Sequence, residues 1–191
     1  MGSISDTELV VKAQKGDVDA FAALAERYQA RIYRTLLSLT GNQMDADDLA
    51  QEAFMKAYKS LARFKRRSSF YTWVYRIAVN LAMNMLKRKN LAKKRLAAIP
   101  LEPGMEGVLG RSQLQPEKQS QRNELRTRMK EAVDSLPPIY RAAFILVAVE
   151  GTSHLHASEI LNCSENTVSW RIHKARKMLQ TRLSPYLGGK P

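Results

Sequence analysis

The sequence predicts an all-α protein, a helical bundle and a helix-turn-helix domain joined by a flexible linker. Three observations carry this. Apolar residues recur every three or four positions at both ends of the chain, which is the helical period. Of the 191 residues, 45% are hydrophobic but only 7% aromatic, a composition that folds and suits helices better than a β-rich sandwich. Prolines and glycines gather near the middle, dividing the chain into two units of roughly 70 to 100 residues, each large enough for its own core. Nothing in either unit reads as a strand pair.

Taken in order, Asp17 is placed to cap a helix whose residues Phe21, Leu24, Tyr28, Ile32, Leu36 and Leu39 share one face and which ends at Gly41. A second helix is expected to start near Asp45, Asp47 and Asp48, where carboxylates complement the helix dipole, and to run through Leu49, Ala53, Ala57 and Leu61. A short basic loop, 63–69, leads to a third helix over 70–89 with Trp73, Ile77 and Leu81 along one side. The linker, 96–124, holds Pro100, Pro103, Gly104, Gly107, Gly110 and Pro116, which cannot sustain a helix. Beyond it, helices are expected over 125–135, stopped by Pro137 and Pro138, and over 140–150, stopped by Gly151. A short helix over 153–161, a turn at 162–164 and a longer basic helix from Asn166 to about Arg182 give the helix-turn-helix pattern. The predicted domains are therefore 1–95 and 125–187.

The net charge of +13 points to a polyanionic partner, nucleic acid first. It is unevenly spread: residues 1–95 carry +9, residues 96–125 carry −1 and residues 126–191 carry +5. The single cysteine, Cys163, excludes an internal disulfide and a cysteine-based zinc finger, and suits a reducing compartment. No apolar run reaches membrane-spanning length and residues 1–12 lack a signal-peptide core, so the expected location is cytoplasmic.

Two stretches carry chemistry. On the terminal helix, Val168, Ile172, Ala175 and Leu179 fall within about 40° of one line and must pack inward. The outward side then carries Asn166, Trp170, His173, Lys174 and Lys177, with Arg171 and Arg176 on its flanks and no acidic residue from Asn166 to Pro191. In the basic loop, Arg63, Lys65, Arg66 and Arg67 interleave with Phe64 and precede Ser69, Phe70, Tyr71, Trp73 and Tyr75. Cations beside aromatics suit single-stranded nucleic acid, whose phosphates need neutralising and whose unpaired bases stack. Thr72, Arg76 and Asn80, at i, i+4 and i+8, form a polar stripe able to donate to base edges, and neither Phe64 nor Asn80 fits the core stripe. Lys87, Arg88, Lys89, Lys93, Lys94 and Arg95 form a further cationic run at the end of the third helix.

These motifs resemble the extracytoplasmic-function (ECF) sigma factors, the group 4 subfamily of sigma-70 RNA polymerase sigma factors. The resemblance rests on the run from Asp47 to Phe54, on Phe64 and the run from Ser69 to Asn80, and on Thr167, Val168 and the run from Arg171 to Arg176. Its two ordered motif sets span nearly the whole chain. It implies a subunit that binds core RNA polymerase through the beta and beta-prime subunits, recognises the minus-ten and minus-thirty-five promoter elements, and helps open the duplex for a stress or envelope-response regulon. It also implies a cognate anti-sigma partner, associated with the membrane, and no catalytic residue, cofactor, metal or small-molecule substrate. Carried over by position, Asp48, Leu49, Gln51, Glu52 and Phe54 would dock on the polymerase clamp. Phe64, Arg67, Ser69, Tyr71, Thr72, Tyr75, Arg76 and Asn80 would bind the minus-ten element, cradling a flipped base. Asn166, Thr167, Ser169, Trp170, Arg171, His173, Lys174 and Lys177 would read the minus-thirty-five element. The linker would thread towards the polymerase active-site and RNA-exit channel.

Three places depart from the family pattern: Lys65-Arg66-Arg67 stands where a glycine is common, Ser169-Trp170 replaces a basic residue followed by serine, and His154 and His156 occupy positions often Tyr and Glu. His154 and His156 do not share a helix face, which weighs against a metal site with Cys163 and His173. Two other functions fit parts of the sequence. Asp45, Asp48 and Glu52 share a face as a nuclease metal site would require, yet that reading leaves the second domain unexplained. A helix-turn-helix regulator acting without polymerase core leaves the aromatic-basic loop without a role.

Overall fold

The computed structural model describes residues 4–97 and 121–186. The prolines and glycines of the central linker and its expected path therefore lie outside the described residues. Eight helices and short 3₁₀ turns make up the described chain, and no strand occurs among the described residues.

Helix α1 (Asp6–Gln14) has no counterpart in the sequence expectations. Its signal is a capping box: the Ser5 hydroxyl accepts the Glu8 N–H at 3.3 Å, and the Glu8 carboxylate accepts the Ser5 N–H at 3.0 Å. Helix α2 (Val18–Thr40) begins as expected, with Asp17 accepting the Ala20 N–H at 3.0 Å. It ends at Gly41, whose φ of 69° is the left-handed conformation of a helix C-cap. Helix α3 (Gln43–Ser60) starts earlier than the acidic cluster because Asn42, not an aspartate, caps it by accepting the Asp45 N–H at 3.0 Å. A 3₁₀ turn (Leu61–Arg63) then leads into the basic loop.

Helix α4 (Phe70–Ala97) is longer than expected, and Ser69 caps it by accepting the Thr72 N–H at 3.0 Å. Its core face is Val74, Ala78, Val79, Ala82 and Leu86, whereas Trp73, Ile77 and Leu81 are only half-buried beside it. Leu86 is its last buried residue, and every residue from 87 to 96 is exposed.

Helix α5 (Gln121–Asp134) is followed by α6 (Pro138–Phe144), which starts on Pro138 at a position where a missing N–H costs nothing. The single helix expected over 140–150 changes character at Phe144 and continues as one π-helical turn, Ile145–Val149, closed by the Glu150 N–H donating to the Ile145 carbonyl at 2.9 Å. Helix α7 (His154–Leu161) is capped by Ser153 and ends at Asn162, whose φ is 49°. Helix α8 (Glu165–Leu183) is capped by Ser164 and buries Val168, Ile172, Ala175 and Leu179, the stripe expected from the sequence, plus Leu183.

One apolar cluster runs through both halves of the molecule, from Leu9, Leu24, Leu36 and Val79 to Leu146, Ile160, Val168 and Ile172. A smaller one, Ala132, Leu136, Ala175, Leu179 and Leu183, ties α5 to α8. Helix α7 packs on α4, as does α6. Polar contacts rim this seam: His156 Nε2 lies 3.0 Å from Thr72 Oγ1, Ser38 donates to Glu150 at 3.3 Å, and Lys130 donates to the Gly41 carbonyl at 3.3 Å.

Candidate nucleic-acid interface

The basic loop is held at its root by Gln14, whose side-chain amide donates to the carbonyls of Leu61 and Phe64, each at 3.0 Å. Arg66 takes a left-handed φ of 54°, so the chain turns sharply between two cations. Arg63, Lys65, Arg66 and Arg67 are all exposed. Phe64 is not: it is 8% exposed, stacked on Trp73 with ring centroids 4.6 Å apart and edge-on to Phe70 at 6.3 Å. The expectation that Phe64 lies off the core is therefore corrected, because the anchored loop folds its ring back onto α4.

The predicted minus-ten residues divide into a surface set and a buried set. Arg67, Ser69 and Asn80 are exposed, and Arg76 is half-buried. Tyr71, Thr72 and Tyr75 are buried at 8%, 3% and 2% exposure. Thr72 bonds to Ser69 at 2.8 Å and to His156, so it drops out of the polar stripe with Arg76 and Asn80. Tyr71 lies under the Arg31 guanidinium, 4.8 Å from its ring centroid, and edge-on to His156. The Tyr75 hydroxyl bonds to Thr35. Burial pushes both phenols up, so each remains a protonated hydrogen-bonding group. Along the stripe, the Nε of Arg76 is buried with no hydrogen-bond partner among the described residues.

On the second unit, Asn166, Ser169, Trp170, His173, Lys174 and Lys177 of α8 are exposed, with Thr167 and Arg171 half-buried. Trp170 is 54% exposed and edge-on to Tyr140, ring centroids 5.8 Å apart, which holds the indole outward at the surface of the motif. Ser169 bonds to His154 at 3.0 Å, and Arg171 contacts the Cys163 sulfur at 3.5 Å. His154 and His156 thus have separate partners, and no group of three or more potential metal ligands gathers among the described residues.

The third surface is α3. Asp48 and Gln51 are exposed, Glu52 and Phe54 half-buried, but Leu49 is 6% exposed and belongs to the core, so it presents nothing to a partner. Asp45, Asp48 and Glu52 border a cleft whose far wall is Asn84 and Arg88 of α4. Lys56 pairs with Glu52 at 2.7 Å, and Lys89 with Asp45 at 2.5 Å. No helix among the described residues is long and apolar enough to cross a membrane.

Residues 24–91 match the family model for Sigma-70 region 2, and residues 126–179 that for Sigma-70 region 4. The chain is 34% identical over 186 residues to the ECF RNA polymerase sigma-E factor of Haemophilus influenzae, covering 96% of this chain and 98% of that protein. It is 36% identical over 186 residues to the ECF RNA polymerase sigma-E factor of Escherichia coli, with 96% and 97% covered. The RNA polymerase sigma-H factor of Pseudomonas aeruginosa is 34% identical over 185 residues, with 95% of each chain covered. Among solved structures, RpoE bound to the anti-sigma factor NepR, from Bartonella quintana, superposes with a TM-score of 0.57 at 25% identity, covering 86% of this chain and 96% of that one. CnrH in complex with the cytosolic domain of CnrY shares the fold, with a TM-score of 0.63 at 24% identity and coverage of 93% and 96%.

Proposed function

The chain belongs to the sigma-70 family of RNA polymerase sigma factors, in its ECF branch, and from that premise we propose how its surfaces divide the work of starting transcription. It is an alternative sigma factor, a non-enzymatic initiation factor. Helix α3, through Asp48, Gln51, Glu52 and Phe54, docks on a basic surface of the core polymerase. The exposed face of α8, with Asn166, Ser169, Trp170, Arg171, His173, Lys174 and Lys177, lies in the major groove at the minus-thirty-five element. There cations hold phosphates, while amide and imidazole groups meet base edges.

Arg67, Ser69, Arg76 and Asn80 hold the minus-ten strand beside the stacked Phe64–Trp73 pair. Extruding a base costs a few kcal/mol of lost stacking, which a pocket of this kind offsets with hydrogen bonds and phosphate contacts. Phe64 and Trp73 act as the wall of that pocket and Tyr71, Thr72 and Tyr75 as the packing behind it. The placing of the exposed loop cations beside exposed Ser69 and Asn80 and half-buried Arg76 is the observation that carries the assignment.

An anti-sigma protein, held at the membrane, keeps the factor inactive in the cytoplasm until a stress or envelope signal arrives. The solved RpoE structure from Bartonella quintana is a complex with an anti-sigma factor, which supports an anti-sigma partner here.

The test is transcription by reconstituted holoenzyme. Runoff transcription on a genomic library identifies the promoter, and Asn80→Ala then lowers opening of that promoter by about 10-fold or more while binding to core polymerase is unchanged. Equal loss of opening and of core binding in a polymerase pull-down overturns the minus-ten assignment.

A further inference from the structure

One side chain on α8 differs in kind from its neighbours. Trp170 is 54% exposed, the only large apolar residue of that helix left exposed among the described residues. The residues that share its face, Asn166, His173, Lys174 and Lys177, are exposed and polar. A lone exposed apolar side chain is ordinary in itself. Two features set this one apart: it is held in place, and it stands at the middle of a cationic face.

The hold comes from Tyr140 of α6, whose ring meets the indole edge-on at 5.8 Å between centroids. An aromatic side chain propped in this way loses little conformational freedom when it binds. Its place follows from the helical period. At 100° per residue, Trp170 lies about 160° from Val168 on the buried stripe, with Arg171 about 100° to one side of it and Arg176 about 120° to the other. In the same turn, the Ser169 hydroxyl is bonded to His154 and the Arg171 guanidinium contacts the Cys163 sulfur, so the indole is the group left free to reach forward. No acidic residue occurs from Asn166 to Pro191, which suits a polyanion around the ring better than an apolar protein groove.

A recognition helix brings its N-terminal turns to the base edges, and Trp170 is in the second turn of α8. The floor of the major groove consists of hydrogen-bond donors and acceptors, except for the C5-methyl of thymine. An indole face laid over the polar edges of guanine, cytosine or adenine would strip water from them without compensation. Over a thymine methyl it buries apolar surface on both sides.

We propose that Trp170 packs on the C5-methyl of a thymine in the minus-thirty-five element and so selects the base at that position. The inference deepens the placing of α8 in the major groove at that element and rests on it. It assigns the sequence departure at Ser169-Trp170 a consequence: hydrophobic readout where the family pattern carries a serine.

The experiment uses holoenzyme reconstituted from core polymerase and the full chain, on the promoter found by runoff transcription. Each thymine of the upstream element is replaced singly by deoxyuridine, which removes the methyl and keeps the base pair. At one position this is expected to weaken wild-type binding about 4-fold, the effect of exposing one buried methyl group. Trp170→Ala binds the thymine promoter at least as weakly and no longer distinguishes thymine from uracil there, whereas Trp170→Phe still does. Irradiation of 5-iododeoxyuridine at the same position crosslinks it to Trp170, identified by mass spectrometry of the adduct. An upstream element without thymine, or no position at which wild type and Trp170→Ala respond differently to deoxyuridine, overturns the inference. A Trp170→Ala loss that falls on core-polymerase binding instead also overturns it. If Arg171→Ala and Lys174→Ala weaken promoter binding while deoxyuridine has no effect, the methyl contact fails and the α8 assignment stands. If none of these α8 variants alters DNA affinity, the assignment itself fails.

Discussion

Phe64 shows how a single side chain can serve a binding site from inside the core. Its ring is stacked on Trp73 and edge-on to Phe70, and its carbonyl is held by Gln14, so it fixes the loop that carries four exposed cations. Truncating it removes a buried ring from between α4 and the loop. Phe64→Ala is therefore expected to cost about 3 kcal/mol of stability, measured by chemical denaturation, with any loss of promoter opening following from that. A loss under about 1 kcal/mol would return Phe64 to the exposed role that its sequence position suggests. Tyr28 teaches a related lesson: burial and a hydrogen bond to Asp6 push its phenol up to about 12, so the contact that ties α1 to α2 survives across the neutral range.

At the scale of elements, α8 is the one whose inward and outward faces were both legible. Four apolar residues at helical spacing forced the inward face, and everything left over except Leu183 was exposed or half-buried. Arg171→Ala or Lys174→Ala is expected to weaken binding to duplex carrying the upstream element by about 1–3 kcal/mol and to leave core-polymerase binding intact, as read by electrophoretic shift and pull-down. Unchanged DNA affinity would remove these side chains from the interface. Helix α2 was equally readable, since Asp17 and Gly41 mark both ends. Helix α1 was not read, although Ser5 and Glu8 form its capping box, because nine residues offer only a short apolar stripe. On α4 the sequence showed the period but not which side was covered. Thr72 is hidden by His156, which lies far along the chain, and no local pattern reports such a contact. Leu49 was drawn into a docking face by its neighbours in sequence, yet on a helix a residue one step from Asp48 points about 100° away.

Over the whole molecule, the two sequence-defined units share a continuous apolar cluster, with polar contacts at its rim between Thr72 and His156, Ser38 and Glu150, and Lys130 and Gly41. Units joined in this way should unfold together. Calorimetry of the full chain is expected to show one transition with matching calorimetric and van't Hoff enthalpies, whereas two resolved transitions would mean that the halves are energetically independent. The charge of +13 is also organised at this scale: Arg27, Lys56, Lys89, Arg128 and Arg141 pair with carboxylates, whereas the cations of the basic loop and of α8 pair with no carboxylate among the described residues.

Gly41 lies where these scales meet. It closes α2 in the left-handed conformation, and a Cβ built on it would stand 3.4 Å from both carboxylate oxygens of Asp134 and from Lys130 Cε, in the other half of the chain. The left-handed backbone is what disfavours a side chain here; at these distances a Cβ would make ordinary contact with the flexible ends of Asp134 and Lys130. The turn that closes α2 is thus also a place where the second half of the chain is fastened to the first, since the Gly41 carbonyl accepts from Lys130, and the glycine that ends a helix exposes the acceptor that a distant helix uses.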